Sequence, residues 1–290
     1  MSALAGGQTI PERPSLLQRM MRINGALRVR LNLGLLALIV LLGLLAPLLP
    51  LHDPVRPNPL HRFKPPSTEH PFGTDGNGMD VLSRTIHAIR TDFALAISSV
   101  ALGIIVGAPL GALSGYFGGR LDSVITRITE VFQGFPQILF GMAVLAAAGN
   151  TMVNLVLILA FYNVPVYSKM VRSVTLPLRE ADFVQAARVA GNSPLSVVFR
   201  HVLPNTLVPV FSQLPLSCAY AAQMIAGLSF IGLGVAIPTP EWGSMIQLGA
   251  NQLVFGKWWA SIFPGLALFI SVWLLNNVSD LFGSLVVRRG

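Results

Sequence analysis

Four histidines and three aspartates crowd one short stretch of this chain: His52, His61, His70 and His87, with Asp53, Asp75 and Asp80. Imidazole nitrogens and carboxylates are ligands for divalent cations, so the stretch invites the idea of a membrane-bound metalloenzyme. The spacing argues otherwise. It lacks a tight ligand pattern such as HExxH and contains no zinc-type cysteine–histidine cluster, which favours solvated loop histidines over a metal site. The lone cysteine, Cys218, lies in an apolar run, where a small packing residue is expected rather than a reactive thiol. Glu130 and Asp280 fall near the ends of apolar runs and suit helix ends better than a proton relay. No catalytic residue and no metal ligand is expected in this chain.

The elements that would have to position any chemistry are membrane spans. Of the 290 residues, 53% are hydrophobic and only 11% charged, with a mean hydropathy of +0.65. Soluble domains carry about a quarter charged residues, so this surface must largely face lipid. The net charge of +8 would raise nucleic acid as a partner in a soluble chain, but here the charge is distributed by side of the membrane instead. Arg13, Arg19, Arg22, Arg28 and Arg30 precede the apolar run 31–50, which is long enough to cross and is predicted to be an uncleaved first span after a cytoplasmic segment, 1–30.

Charge-free runs place the other spans, because a charge at the bilayer centre costs several kcal/mol. Residues 93–119 give a second. The run 131–168 is too long for one crossing, and Gly149-Asn150-Thr151 divides it into a third and a fourth. A fifth is predicted near 206–232 and a sixth over 258–279, with both termini inside. Helices are the expected form, since lipid offers the backbone no other partner. Fourteen of the 20 basic residues then fall on the inside, as the positive-inside rule requires. Residues 51–88, rich in proline, are expected outside as an irregular cap, ahead of a membrane domain over 89–290. Residues 241–256 are predicted to form a short helix at the outer interface, with Trp242, Trp258 and Trp259 at the depth of an aromatic belt. Gly103, Gly107, Gly111 and Gly115 recur every four residues, the mark of a helix-packing stripe.

The longest inside loop, 169–205, carries the clearest mechanism. Good helix formers over 180–190 stop at Gly191-Asn192, and Ser193-Pro194 starts a second helix with a serine N-cap and a proline at the first helical position. Phe183, Ala186, Ala187 and Val189 offer an apolar face, and Arg179, Glu180, Asp182 and Arg188 offer polar anchors, as in docking of a helix into a partner's groove.

The string QAARVAG followed by HVLPN resembles the coupling-loop signature of ABC importer permeases. Ala186, Ala187, Gly191, Leu203 and Pro204 match it in type and spacing, while Gln185 stands for the usual glutamate and His201 for the commonest isoleucine. HPFGTDGNGMDVLSR (70–84, with Met79 where arginine is usual), GYFGGRLD (115–122), FPQILF (135–140) and LSFIGLGVAIPTPEWGSM (228–245) look like the dipeptide/oligopeptide/nickel branch, in the expected order. The resemblance implies an all-α polytopic permease of the type I ABC importer fold with six transmembrane helices in the bacterial inner membrane. It implies a coupling loop using Glu180, Gln185, Ala186, Ala187, Gly191, Leu203 and Pro204. It also implies partners: a second homologous permease subunit, two cytoplasmic ATP-binding subunits that would hold ATP and Mg, and an extracytoplasmic substrate-binding protein. No cofactor is implied in this chain. Di- or oligopeptides are the first substrate expectation, with nickel chelates, glutathione or opines as alternatives. A secondary transporter remains as a different class of reading, disfavoured because such carriers place ionisable groups near midplane and these spans hold almost none.

Overall fold

A computed structural model describes residues 16–287, with side chains from 29 to 280. The N-terminal arginines other than Arg30, together with Arg288 and Arg289, therefore lie outside the described side chains. Ten α-helices follow one another among the described residues: α1 (Leu16–Leu45), α2 (Val81–Phe117), α3 (Gly119–Gln133), α4 (Gln137–Ala148), α5 (Met152–Leu178), α6 (Asp182–Val189), α7 (Pro194–Val197), α8 (Leu203–Phe230), α9 (Trp242–Ala250) and α10 (Trp259–Val287). No strand is present among them; one isolated antiparallel bridge joins Thr74 and Asp80.

Four helical segments are long and apolar enough to cross a membrane: Val29–Leu48, Val81–Phe117, Met152–Leu178 and Trp259–Asp280. A fifth crossing would need α3 and α4 together, and those two meet at a bend of 84°. The break falls at Gly134-Phe135-Pro136, where proline removes a backbone donor and cannot continue the preceding helix. At 12 residues α4 is about 18 Å long, too short to cross alone. The third predicted span is thus a broken element rather than one straight rod. The helix at the fifth predicted span, α8, is 28 residues long but diluted by Gln213 and Gln223, and it is not among the four.

The division at Gly149-Asn150-Thr151 lies between α4 and α5, where the Thr151 side chain accepts the Asn154 amide at 3.1 Å as an N-cap. The start of α2 differs from expectation. It begins at Val81, twelve residues ahead of the charge-free run, because Asp80 caps it by accepting the Ser83 amide at 2.7 Å. Of the charges that hid this start, Arg84 and Asp92 are buried and Arg90 is exposed. Arg84 is fully buried and donates to the carbonyls of Pro54 at 2.6 Å and Pro238 at 2.9 Å, with Asp75 3.3 Å from its Nε. The same guanidinium also donates to the Met79 sulfur at 3.1 Å. The proline-rich segment is accordingly tied down over residues 51–80, and 81–88 belong to α2.

Helices α2 and α5 form the central seam. A Cβ added at Gly103, Gly107 or Gly111 would sit 2.3 to 2.5 Å from atoms of α5, two of the three being backbone carbonyl oxygens. The glycine stripe lets the two backbones approach closely, as its spacing predicts.

The tryptophans correct the aromatic-belt expectation. Trp242 and Trp259 are buried, and their indole nitrogens donate to the carbonyls of Thr85 at 3.0 Å and Thr74 at 3.1 Å. Only Trp258 of the three is exposed. The segment after α8 is therefore sewn into the body of the protein by hydrogen bonds rather than resting on it. Cys218 is buried in the main core, as a packing residue should be.

Candidate functional site

Helix α5 runs on through Lys169 to Leu178, so the loop predicted inside shortens to residues 179–202. There, α6 and α7 form a helical hairpin. Gly191 turns the chain with a φ of +82°, a conformation that other residues reach at a cost of about 1–2 kcal/mol. Nothing lies within 4 Å of a Cβ built on it, so glycine is needed for its dihedral and not for room. Ser193 caps α7 by accepting the Ser196 amide at 3.3 Å, with Pro194 at the first helical position. A π-helical turn, Val198–Val202, joins α7 to α8.

The hairpin has an inside and an outside, and the predicted residues divide between them. Val184 and Ala187 face inward onto Val197, Val202 and the Tyr116 ring of α2. Ala187 is therefore a packing residue, which corrects its placement on the docking face. Phe183, Ala186, Gln185 and Val189 are exposed, Val189 to 90%. Glu180 and Pro204 are exposed, while Leu203 packs partly against the main core.

Two of the polar anchors also make contacts within the protein. Arg188 donates to the Tyr116 hydroxyl at 3.0 Å and to the Arg179 carbonyl at 3.2 Å, with its guanidinium 4.9 Å from the Tyr116 ring centroid. Arg179 reaches the Gly115 carbonyl at 3.4 Å and Glu180 at 3.0 Å. These arginines brace the hairpin on α2 while Arg188 stays exposed and Arg179 partly so. Nearby, Arg172 of α5 grips Asp122 of α3 through two bonds of 2.5 and 2.7 Å. The bidentate pair holds the start of α3 against the C-terminal half of α5.

A second feature, absent from the sequence-based expectations, lies between α4, α5 and α8. It is a cavity of about 260 Å³ whose polar lining is Gln137, Asn163, Gln213, Ser217, Tyr162 and Tyr220, none of them a formal charge. Tyr162 presents a buried hydroxyl with no partner, and the Tyr167 hydroxyl donates to Ser217 at 3.0 Å beside it. The signal available in the sequence was the glutamines themselves, which are costly in an apolar helix unless they serve a cavity or a partner.

The histidine-rich stretch differs most from its reading as solvated loop. His70 is buried, its Nδ1 2.9 Å from Asp80 Oδ2 and its Nε2 3.2 Å from His61 Nδ1. His52 stacks against it at a centroid distance of 4.8 Å. His87 stands apart, its Nδ1 bonded to the Ser83 carbonyl at 2.9 Å. Asp53 and Asp75 cap turns: Asp53 accepts the Val55 amide at 2.9 Å and Asp75 the Asn77 amide at 2.8 Å. Glu130 and Asp280 are exposed near their helix ends.

Over residues 107–289 the chain matches the family described as binding-protein-dependent transport system inner membrane component. It is similar to the dipeptide transport system permease protein of Alkalihalophilus pseudofirmus, 35% identical over 241 residues, which cover 83% of this chain and 79% of that protein. The probable D,D-dipeptide transport system permease protein of Escherichia coli is 35% identical over 272 residues, 91% of each chain. The glutathione transport system permease protein of Pectobacterium atrosepticum is 36% identical over 215 residues, 74% of this chain and 71% of that protein.

Proposed function

This chain belongs to the family of inner membrane components of binding-protein-dependent transport systems, and on that premise we propose that it forms half of the pathway of an ATP-driven importer of di- or oligopeptides. The observation that carries the mechanism is the exposed apolar face of α6, with Phe183, Ala186 and Val189, on a hairpin braced to α2 through Tyr116 and Gly115. Such a face fits a groove on a soluble partner. That partner is an ATP-binding subunit, and ATP and Mg bind there and not on this chain, which acts as a conduit and not an enzyme. A second homologous permease completes the pathway, two ATP-binding subunits drive it, and an extracytoplasmic binding protein delivers the solute.

The cavity between α4, α5 and α8 supports the pathway side of this reading. Its amide and hydroxyl lining offers donors and acceptors to peptide backbone without a fixed charge that would trap one end of a zwitterion. A secondary transporter would instead need an ionisable group there to couple an ion. Among the relatives named above, two are peptide permeases and one a glutathione permease, and glutathione is itself a tripeptide-like solute.

Uptake into proteoliposomes carrying the complete transporter and its binding protein tests the proposal. ATP-dependent entry of labelled di- or tripeptide, competed by unlabelled peptides, is the expected result. Competition by a nickel chelate or an opine but not by peptides would refute the peptide assignment. Uptake driven by an ion gradient without ATP would refute the mechanism.

A further inference from the structure

The histidines on residues 52–70 are brought together by the fold, and their geometry goes beyond what permeation needs. His70 sits with one ring nitrogen, Nδ1, 2.9 Å from the Asp80 carboxylate and the other, Nε2, 3.2 Å from His61 Nδ1. Glu69 Oε1 lies 3.8 Å from the same Nε2. Since a carboxylate only accepts, Nδ1 of His70 carries the proton and donates it to Asp80, leaving Nε2 with a lone pair. His61 Nδ1 and the Glu69 carboxylate oxygen lie 3.2 and 3.8 Å from that nitrogen, so three potential ligand atoms cluster there.

We propose that His61 Nδ1, His70 Nε2 and Glu69 Oε1 bind one divalent cation of the zinc class, with Asp80 as the group that orients His70. Two nitrogens at about 2.0–2.1 Å from a tetrahedral zinc stand about 3.3–3.4 Å apart, and the observed 3.2 Å is close to that edge. The three ligand atoms all lie within 4.8 Å of one another, so a small side-chain rotation of exposed Glu69 closes the set. A carboxylate on the far nitrogen of a metal-binding histidine fixes its tautomer and raises its basicity, and Asp80 stands in that position. The fourth coordination position opens on a cavity of about 520 Å³ that Asp53 and Asn58 also line. Asp53, Glu69 and Asp80 outnumber Arg56 there, which makes the cavity attractive to a cation.

The binding step is an exchange. Without a cation, His61 Nδ1 holds the proton that bridges to His70 Nε2; on binding, solvent takes that proton from Nδ1 and returns one to Nε2 of the same ring, so His61 stays neutral and the cation takes the freed Nδ1 lone pair. Its structural effect is to staple the proline-rich segment to the start of α2, because Asp80 also caps that helix.

The test uses the full chain, purified without a histidine tag in nanodiscs and titrated with Zn²⁺ after chelator treatment. One zinc per chain is expected, with Co²⁺ giving the intense visible bands of a four-coordinate site. His61→Ala and His70→Ala should each weaken binding at least 100-fold. Asp80→Asn, which keeps the helix cap, should weaken it 10–100-fold. His201→Ala, on the coupling hairpin's side of the protein, should leave it unchanged. His61 is half-buried and in a turn, so His61→Ala decides the matter even if His70→Ala misfolds. Failure of the wild type to bind zinc, or less than a threefold change in His61→Ala, would overturn the proposal.

Discussion

Ala186 and Ala187 are adjacent in α6 yet face opposite ways, so one substitution at each separates docking from folding. Ala187 is 7% exposed and packs with Val184, Val197, Val202 and Tyr116; Ala186 faces solvent. Arginine is nearly as good a helix former as alanine, so Ala186→Arg costs the hairpin at most a few tenths of a kcal/mol. Ala187→Arg must either bury a guanidinium or force the small cluster apart, and overpacking alone costs about 1–3 kcal/mol, with an unpaired buried charge adding to it. About 3 kcal/mol raises the opened population of the hairpin more than a hundredfold. The spans should survive, since Tyr116 is the one α2 residue packed against this small cluster among the described residues. The expected pattern is therefore specific. Ala186→Arg leaves limited proteolysis between residues 179 and 203 at the wild-type rate while the ATP-binding subunits no longer copurify. Ala187→Arg loses the subunits and becomes protease-sensitive there as well. Full copurification and full ATP-driven uptake in Ala186→Arg would refute the docking face, and wild-type protease resistance in Ala187→Arg would refute the inward placement.

Three further outcomes are expected. Gly111→Ala should lower the unfolding temperature in detergent, at a cost of about 1–3 kcal/mol, because its Cβ would meet the Ser168 carbonyl at 2.3 Å; Gly34→Ala, with nothing within 4 Å, should be neutral or stabilising by about 0.5–1 kcal/mol. Cysteines placed at exposed Ser67 and Ser193 should divide by side, with impermeant reagent on intact cells reaching the first and not the second; the reverse labelling would invert the proposed topology. Burial pushes the Glu241 carboxyl above its ordinary 4.5, although the amides of Gly243 and Ser244, each at 2.7 Å, pull it back. A raised carboxyl favours the fold below 4.5 and loses that contribution as pH rises through its folded value, so the stability advantage of wild type over Glu241→Gln should shrink from pH 4 towards 8; a difference that does not vary with pH would refute this.

What the sequence made legible is what local chemistry decides. The break at Gly149-Asn150-Thr151, the Ser193 cap and the turn at Gly191 act through bonds or dihedrals within a few residues, and each stands in the structure where the sequence predicts it. The glycine stripe was readable for the same reason, since a four-residue period fixes one helix face. The errors came from contacts distant in sequence. Arg84 looks like a loop charge until the Pro238 carbonyl, 154 positions away, receives it, and the true start of α2 was hidden with it. Trp242 reads as an interfacial residue until its indole finds Thr85, 157 positions earlier. Ala187 could not be assigned a side without Tyr116, and the histidines showed no ligand spacing because turns, not a helix register, bring His61 to His70.

One helix links all the parts that matter. At its start α2 holds Arg84, which grips the proline-rich segment at Pro54 and the loop at Pro238. Along its middle, Gly103, Gly107 and Gly111 press it against α5 with no room for a methyl group. At its end, Gly115 and Tyr116 receive Arg179 and Arg188 of the hairpin. At 37 residues it is about 55 Å long, enough to pass through the bilayer and beyond it. A seam packed that closely does not deform continuously; it moves as a body or not at all. A displacement imposed on α6 by a closing partner would therefore reach α2 and α5 together and carry the proline-rich segment with them. Arg172 and Asp122 add α3 to the same body. The cavity between α4, α5 and α8 lies at its edge, where one wall belongs to the moving unit and the others to helices that pack on it less tightly. That is the arrangement in which rocking changes access to a site without dismantling it.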